Sequence, residues 1–412
     1  MSDFQRRSLS QGDLDMFIAA HERFIEGRPG GRRLQLKFVD LNGLNLAGRN
    51  LEEADFSGSS LENAKLTDAR MERAVLFCCD LKGADMSGAN LKKADLRGVC
   101  LRGASLANAD LTQADFREGV IAVPHAEKGL QAVKHQACQG VADGARFTGA
   151  TLDGATLDGF SAQQAEFADC SMKGARLTGA NLKDANLSGA MLEDAQLSGA
   201  NLNGARLINA ILTGAAVDSA KMERTDLTGS LRSPSPEAVT KAAALIELAL
   251  DANAWAESGG VFGQPAKFDG EDLRPVGDKL KSLKLPGTSA RGACMAGLDM
   301  RGVGFQGANL DGADLRGCDL RGSDLRGARL NNALLNKADL RGAILAALPL
   351  GGGRSMPVNL TGARLRYAKL DQADLSEANL AGADLGGVNL KKVVLSDVQK
   401  AAVSPAPTAV AA

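Results

Sequence analysis

The chain has 412 residues, with 48 basic against 49 acidic side chains, a formal net charge of -1 and 44% apolar content. Near-neutrality argues against the unpaired basic surface that nucleic-acid backbones require, and the apolar content suffices for buried cores rather than disorder. Aromatic residues make up only 4%, so the core must be filled by Leu, Ala and other small residues, in many thin layers rather than one thick globule.

The first residues lack the apolar stretch of a signal peptide, and no apolar run reaches the roughly 18 residues that a membrane span needs, so a cytoplasmic location is expected. Leu14, Phe17, Ile18, Phe24 and Ile25 trace one face at helical spacing, ended by Gly27 and Pro29. This predicts an N-terminal capping helix within 1–33. His21 lies on the same face without a companion ligand and reads as a histidine of the cap core.

From Leu36 to Phe116 every fifth residue is Leu, Met or Phe. A second series in a new register runs from Phe147 to Leu227 and misses only at Ala162 and Val217, and a third, from Met300 to Leu395, misses only at Ser355. Ala commonly stands two residues before each large apolar residue, as in Ala84-Asp85-Met86 and Ala313-Asp314-Leu315. Five fits neither the helical period nor the simple strand period, so the chain must turn at regular intervals. In the unit Ala-(Asp/Asn)-Leu-x-Gly, Ala and Leu point inward, Asp or Asn points outward, and x-Gly supplies a tight turn.

The break at 117–144 contains His125, Glu127, Lys134, His135 and Cys138. It reads as an excursion from the repeat with a short helix around Ala126–Ala137, since the spacing of its two His and one Cys matches no metal site. Ser235-Pro236 signals a second helix running to about Trp255, followed by Gly259-Gly260 and Lys267-Phe268, the order that Gly30-Gly31 and Lys37-Phe38 show near the N-terminus. A smaller bulge is expected at Leu348–Gly353. The tail from Ser396, with Ser404-Pro405-Ala406-Pro407, reads as disordered.

This unit resembles the pentapeptide-repeat family, whose A(D/N)LxX motif the three series match over about two thirds of the chain. The resemblance implies an all-β solenoid, a right-handed quadrilateral β-helix with four units to each square coil. At a coil spacing of about 4.8 Å, the three series make about 4, 4 and 5 coils, and the open ends need covers. The expected organisation is a capping helix at 1–33, a first solenoid at 34–232 with its excursion at 117–144, a helix and cap at 233–290, a second solenoid at 291–395, and the tail 396–412. Each of the two modules thus opens on its own capping helix. With four units per coil, Arg301, Arg321 and Arg341 stack in one column beside Asp299, Asp319 and Asp339.

No catalytic, cofactor-binding or metal-ligating residue is expected, and no cofactor. Gly302-Val303-Gly304-Phe305-Gln306-Gly307 spells G-x-G-x-x-G, but its outer glycines are ordinary turn positions and no helical pattern follows. Asp85, Asp95, Asp110, Asp115, Asp314 and Asp324 read as solvated repeat positions. Seven scattered cysteines form neither a disulfide framework nor a zinc motif and read as buried small thiols. Trp255 and Tyr367, the single Trp and single Tyr, could serve a small ligand in a groove between modules, although Trp255 fits a cap core better.

The reading that follows is a non-enzymatic protein-interaction scaffold, with the excursion and the inter-module segment as specificity elements. Its partner is a protein of unknown identity, without direct nucleic-acid binding or a membrane span, and self-association through solenoid ends or faces is admitted. The alternative comes from the resemblance: some members of the family mimic duplex DNA and inhibit type II topoisomerases such as gyrase. That mechanism needs a strongly acidic rod, whereas the first two series carry net charges of only -2 and -4 and the third is net positive.

Overall fold

The computed structural model describes residues 6–120, 140–396 and 399, together with the backbone of 122–125 and 129–132. The chain divides into two compact units, Met1–Ser233 and Pro234–Ala412, with separate hydrophobic cores.

In both units the repeat winds into stacked coils. Parallel bridges join residues twenty apart, as in Asn50 to Arg70 to Asn90 to Asp110. Bridges recur every five residues along the chain, so each coil has four sides. Around one unit, the Leu91 N–H donates upward to Asp110 O (2.7 Å), the Asn90 N–H downward to Ala69 O (2.9 Å), and the Ala94 N–H closes a turn on Leu91 O (3.0 Å). The third residue of that turn, Lys93, has φ 55°, the sign required at the equivalent position of a type II turn. Gly fills most such corners, and Asn or Asp many of the rest, as at Asn63, Asp68 and Asp194.

Inside the coils the Leu and Ala positions are sealed; Leu91, Ala94, Leu182 and Ala185 are at most 1% exposed. Several residues that replace the inward Ala donate to a carbonyl of the preceding coil, as Ser59 Oγ does to Leu36 O (2.6 Å), Cys170 Sγ to Phe147 O (2.8 Å) and Cys318 Sγ to Met295 O (2.9 Å), whereas the buried hydroxyls of Thr288 and Ser323 at the same position have no hydrogen-bond partner. Small size and a donor explain those cysteines, and burial pushes the Cys79 thiol far above its usual range.

The first unit opens with strand β1 (Arg7–Ser8) pairing in parallel with β2 (Val39–Asp40), and with helix α1 (Gln11–Ile25) between them. Ser10 and Asp13 cap α1 reciprocally. Leu14, Ile18 and His21 are its buried residues. Phe17 and Phe24, expected on that face, are 44% and 41% exposed, because the buried stripe centres on the His21 side. The helix meets the first coil through Gln11, which exchanges two hydrogen bonds with the Asn45 backbone (3.0 and 2.9 Å), and through the Asp15–Arg49 ion pair (2.8 Å).

His21 Nδ1 accepts the Leu34 N–H at 3.1 Å. Burial pushes the ring's pKa down, partly opposed by the Glu52 backbone. The folded state therefore holds a neutral ring while the unfolded chain protonates near pH 6.5. Stability is full above that pH and falls as pH drops below it, by up to about 1.4 kcal/mol per unit. Urea midpoints of the first unit at pH 7 and pH 5 should show this loss, and His21→Leu should abolish its pH dependence.

The excursion is shorter than expected. Cys100 bridges Val141, and Asp115 bridges Thr156, so the coils close over the insertion and 34–116 continues directly into 141–231. In place of the expected helix at 126–137 there is an antiparallel pair, β3 (Ala122–His125) with β4 (Gly129–Ala132). β-branched Val120, Ile121 and Val123 favour extended chain. His135 and Cys138 lie outside the described residues.

The second unit opens with α2 (Pro236–Glu257), capped by Ser235 Oγ, which accepts the Ala238 N–H (3.2 Å). Leu245, Ala249 and Ala252 share a core with Phe268 and Leu273. The first bridges already stand at Lys267–Ser289 and Asp272–Cys294, so coiling starts well before residue 291. The 3-10 turn Arg274–Val276 lengthens that first coil. Lys267-Phe268 is strand and core, whereas Phe38 is a corner with φ 55°, so the two Lys-Phe pairs are not equivalent.

Hairpin β5 (Leu348–Gly351) and β6 (Arg354–Met356) leaves the third series between Arg329 and its bridge partner Asn359. Its ten inserted residues preserve the five-residue phase. Leu350 thus fits the sequence series yet is 51% exposed in the hairpin, and Ser355 is a hairpin residue rather than a failed core position. Ser396 and Gln399, expected in a disordered tail, make defined hydrogen bonds; residues 397, 398 and 400–412 lie outside the described set.

Candidate interaction surface

The outward Asp and Asn residues are more than solvated charges. Within a repeat, the N–H of the residue after Leu needs an acceptor, and the Asx two residues earlier supplies it. Asp85 accepts from Ser87 N (3.1 Å), Asn90 from Lys92 N (3.2 Å) and Asp110 from Thr112 N (3.1 Å). Asp95, Asp115, Asp314 and Asp324 do the same for the Arg two residues on. At several repeats without an Asx there, the coil below provides it: Asn42 accepts from Glu62 N (2.8 Å), Asp153 from Lys173 N (3.0 Å) and Asp311 from Asn331 N (3.0 Å).

This substitution rule is testable. Asp153→Ala should cost about 1 kcal/mol by stranding the Lys173 N–H, and adding Ser171→Asp should restore the urea midpoint by supplying the acceptor from the same coil.

The corners obey a related rule. An Asx corner lays its Oδ1 over the corner of the next coil, which is then Gly: Asn63 over Gly83, Asp68 over Gly88, Asp194 over Gly214 and Asn332 over Gly362. Gly214 (φ +70°) has no room for a Cβ beside Asp194, whereas Gly43 (φ +68°) faces open space. Both Ala substitutions carry the strain of the left-handed corner, about 1 kcal/mol. Gly214→Ala should lower the melting temperature further than Gly43→Ala, and Asp194→Ala in the same chain should remove the excess.

The second unit's Arg column forms as expected, but each Arg pairs first with the Asp two residues before it. Arg301 grips Asp299 (2.8 and 2.5 Å) and Arg321 grips Asp319 (2.9 and 2.6 Å), while the next coil's Asp319 lies 3.6 Å from Arg301 Nε. The Arg301 fork holds Asp299 well below the usual carboxylate range, at about 2. In the first unit Arg97 and Arg117 grip Asp95 and Asp115 likewise, so its acidic residues form no unbroken column.

One face of the first unit differs. The bridged column from Asn45 through Lys65, Asp85, Ser105, Arg146, Glu166, Asn186 and Arg206 to Asp226 fixes the residues two further on as a parallel column. These are Ala, Thr or Ser at every coil except for Ile208. Thr67, Ser87, Thr148 and Ser188 belong to it. The column is uncharged, lies at the surface and extends about 38 Å at the ordinary strand spacing.

Gly302 and Gly307 are corners with φ +67° and +64°. No metal-holding cluster occurs among the described residues, and none of their helices is long and apolar enough to cross a membrane. Trp255 lies half-buried on α2 beside Gly260. Tyr367 sits on a corner, its ring 5.1 Å from Lys337 Nζ and 5.8 Å from the Arg366 guanidinium carbon.

No curated protein matches the chain. Among solved structures it is similar to HetL, a pentapeptide repeat protein involved in heterocyst differentiation regulation from Nostoc sp. strain PCC 7120, at 19% identity over 91% of this chain and 95% of that one, with a TM-score of 0.20. It is similar to a thylakoid-lumen pentapeptide repeat protein of Arabidopsis thaliana at 26% identity over 33% and 67% (TM-score 0.20). It is also similar to QnrB1, a plasmid-mediated fluoroquinolone resistance protein, at 19% over 48% and 83% (TM-score 0.23). Pentapeptide repeat families match residues 35–73, 79–117, 142–186, 190–229, 284–322, 323–346 and 359–397, and two of the gaps, after 117 and after 346, fall at the insertions that leave the coil. The chain belongs to the pentapeptide repeat family, whose members fold as right-handed β-helices.

Proposed function

We propose that the chain is a non-enzymatic scaffold of the cytoplasm, built of two solenoid modules that each open on a capping helix, and that it holds a protein partner against the flat faces of its coils. The observation that carries this reading is the uncharged Thr/Ser/Ala column of the first unit. Its backbone is held by hydrogen bonds to neighbouring coils, so a partner would order little on binding, and removing small uncharged side chains from water costs far less than removing charged ones. The β5–β6 hairpin and the excursion at 117–140 supply the irregular elements that specificity requires.

The test is capture of partners from native lysate. Thr148→Arg with Ser188→Arg places bulk and charge on the column; Thr178→Arg with Ser198→Arg places the same change on another face. The reading expects the first pair to lose a discrete partner that wild type and the second pair retain. Equal capture by both overturns the use of this face, and inhibition of gyrase by the purified chain would replace the scaffold with DNA mimicry.

A further inference from the structure

We propose that the outer side of helix α1 docks the chain on an anionic phospholipid surface. The helix has two apolar sides. Leu14, Ile18 and His21 are buried against the first coil, whereas Met16, Phe17 and Phe24 are exposed, Met16 at 66%. Met16, Phe17, Ala20 and Phe24 stand at i, i+1, i+4 and i+8, so they form one stripe along the helix.

The chain after the helix sets arginine beside this stripe. Segment 28–32 folds back on the end of α1: the Arg28 N–H donates to Arg23 O (2.8 Å) and the Arg32 N–H to Ala20 O (2.9 Å). Gly31 leaves no room for a Cβ against the Phe24 backbone, so this close approach needs glycine. The acidic residues nearby are engaged or turned away. Asp13 is taken up by the Ser10 cap and Glu26 by Arg28. At 100° per residue Asp15 and Glu22 fall on the opposite side of the helix, where Asp15 pairs with Arg49 (2.8 Å). Arg23 and Arg32 are exposed and enter no ion pair among the described residues.

Exposed Met and Phe with unpaired arginines at their side fit the interface of an anionic bilayer, where the rings reach the acyl boundary and the guanidinium groups meet phosphates. A peptide helix would need a groove, but no second helix or strand packs beside α1 among the described residues. In a twofold pairing of two copies Arg23 and Arg32 would meet their own kind. A flat lipid surface asks for neither a groove nor an opposite charge on this chain.

Co-sedimentation of the full chain with vesicles tests this. Phosphatidylcholine vesicles containing about one third phosphatidylserine should bind it, and phosphatidylcholine alone at least about tenfold less. Added salt should weaken the binding. Phe17→Ser with Phe24→Ser should cut binding to the mixed vesicles at least about tenfold, as should Arg23→Glu with Arg32→Glu. Met16→Asp, at the most exposed position of the stripe, should do the same without touching the packed side of the helix. Circular dichroism checks that each variant is folded, and Met16→Asp decides if the Phe pair is not. Absence of binding to the mixed vesicles, or binding that survives in folded variants, overturns the proposal. Dimers that Met16→Asp abolishes would instead seat a second copy on the stripe, and capture of an acidic amphipathic peptide without vesicle binding would seat a protein there.

Discussion

Deletion of residues 172–176 is expected to unfold the first unit, whereas deletion of 172–191, four times as many residues, is expected to leave it folded. The shorter deletion removes one side of a square. The coil then has three sides, and every bridge that it makes with its neighbours loses register. The longer deletion removes a whole coil and brings Leu192 to the place of Met172, so that bridges such as Ser171 to Met191 and Met191 to Ile211 are replaced by Ser171 to Ile211. Stability in such a stack is close to a sum over neighbouring coils, so the loss should be graded. A local cost remains where Asp169 comes to lie beneath Asn209, and Asn209→Gly should reduce it. Circular dichroism and urea titration distinguish the outcomes. A folded five-residue deletion, or an unfolded twenty-residue one, would refute the square-coil account.

Leu91→Asp should abolish folding of the first unit and spare the second. Leu91 is fully buried, stacked in one interior column with Met71 and Leu111. Removing the Leu side chain costs about 2–5 kcal/mol, and a buried carboxylate without a partner adds several more. Together these match the whole stability of an ordinary domain, about 5–15 kcal/mol. The core around Leu245, Phe268 and Leu310 shares no residue with that of Leu91. Limited proteolysis with mass spectrometry should therefore release a resistant fragment beginning near Pro234. Loss of both units would contradict separate cores, and survival of both would contradict the cost assigned to a charge at Leu91.

The sequence made the coils legible because a period of five leaves the inward face no freedom: each Leu and Ala stacks on its own kind, and any slip exposes it. The two insertions show the limit of that signal. The excursion after Phe116 shifts the phase and is visible at once. The hairpin at Leu348–Met356 adds ten residues, returns the phase unchanged, and hides behind the coincidence of Leu350. The interaction surface was less legible. Asp85 and Asp110 look like solvated carboxylates until the backbone N–H groups of Ser87 and Thr112 are seen to need them. The Thr/Ser/Ala column is spread over residues twenty apart, where only the stack brings it together. The helix expected at 126–137 failed because charged and Ala residues there suggested helix, while the β-branched residues just before it set an extended path.

The Asx-over-Gly corners carry a record of how such a chain can grow. Along one edge of the first unit the corner residues read Gly48, Asp68, Gly88, Asn108, Gly149, Asp169, Gly189, Asn209 and Gly229, all with positive φ. Copying one coil in tandem would set like upon like, either an Asx pressing on an Asx or a Gly left unoccupied. Copying two coils preserves the alternation at every junction. Lengthening by pairs is thus the route that leaves this edge undisturbed.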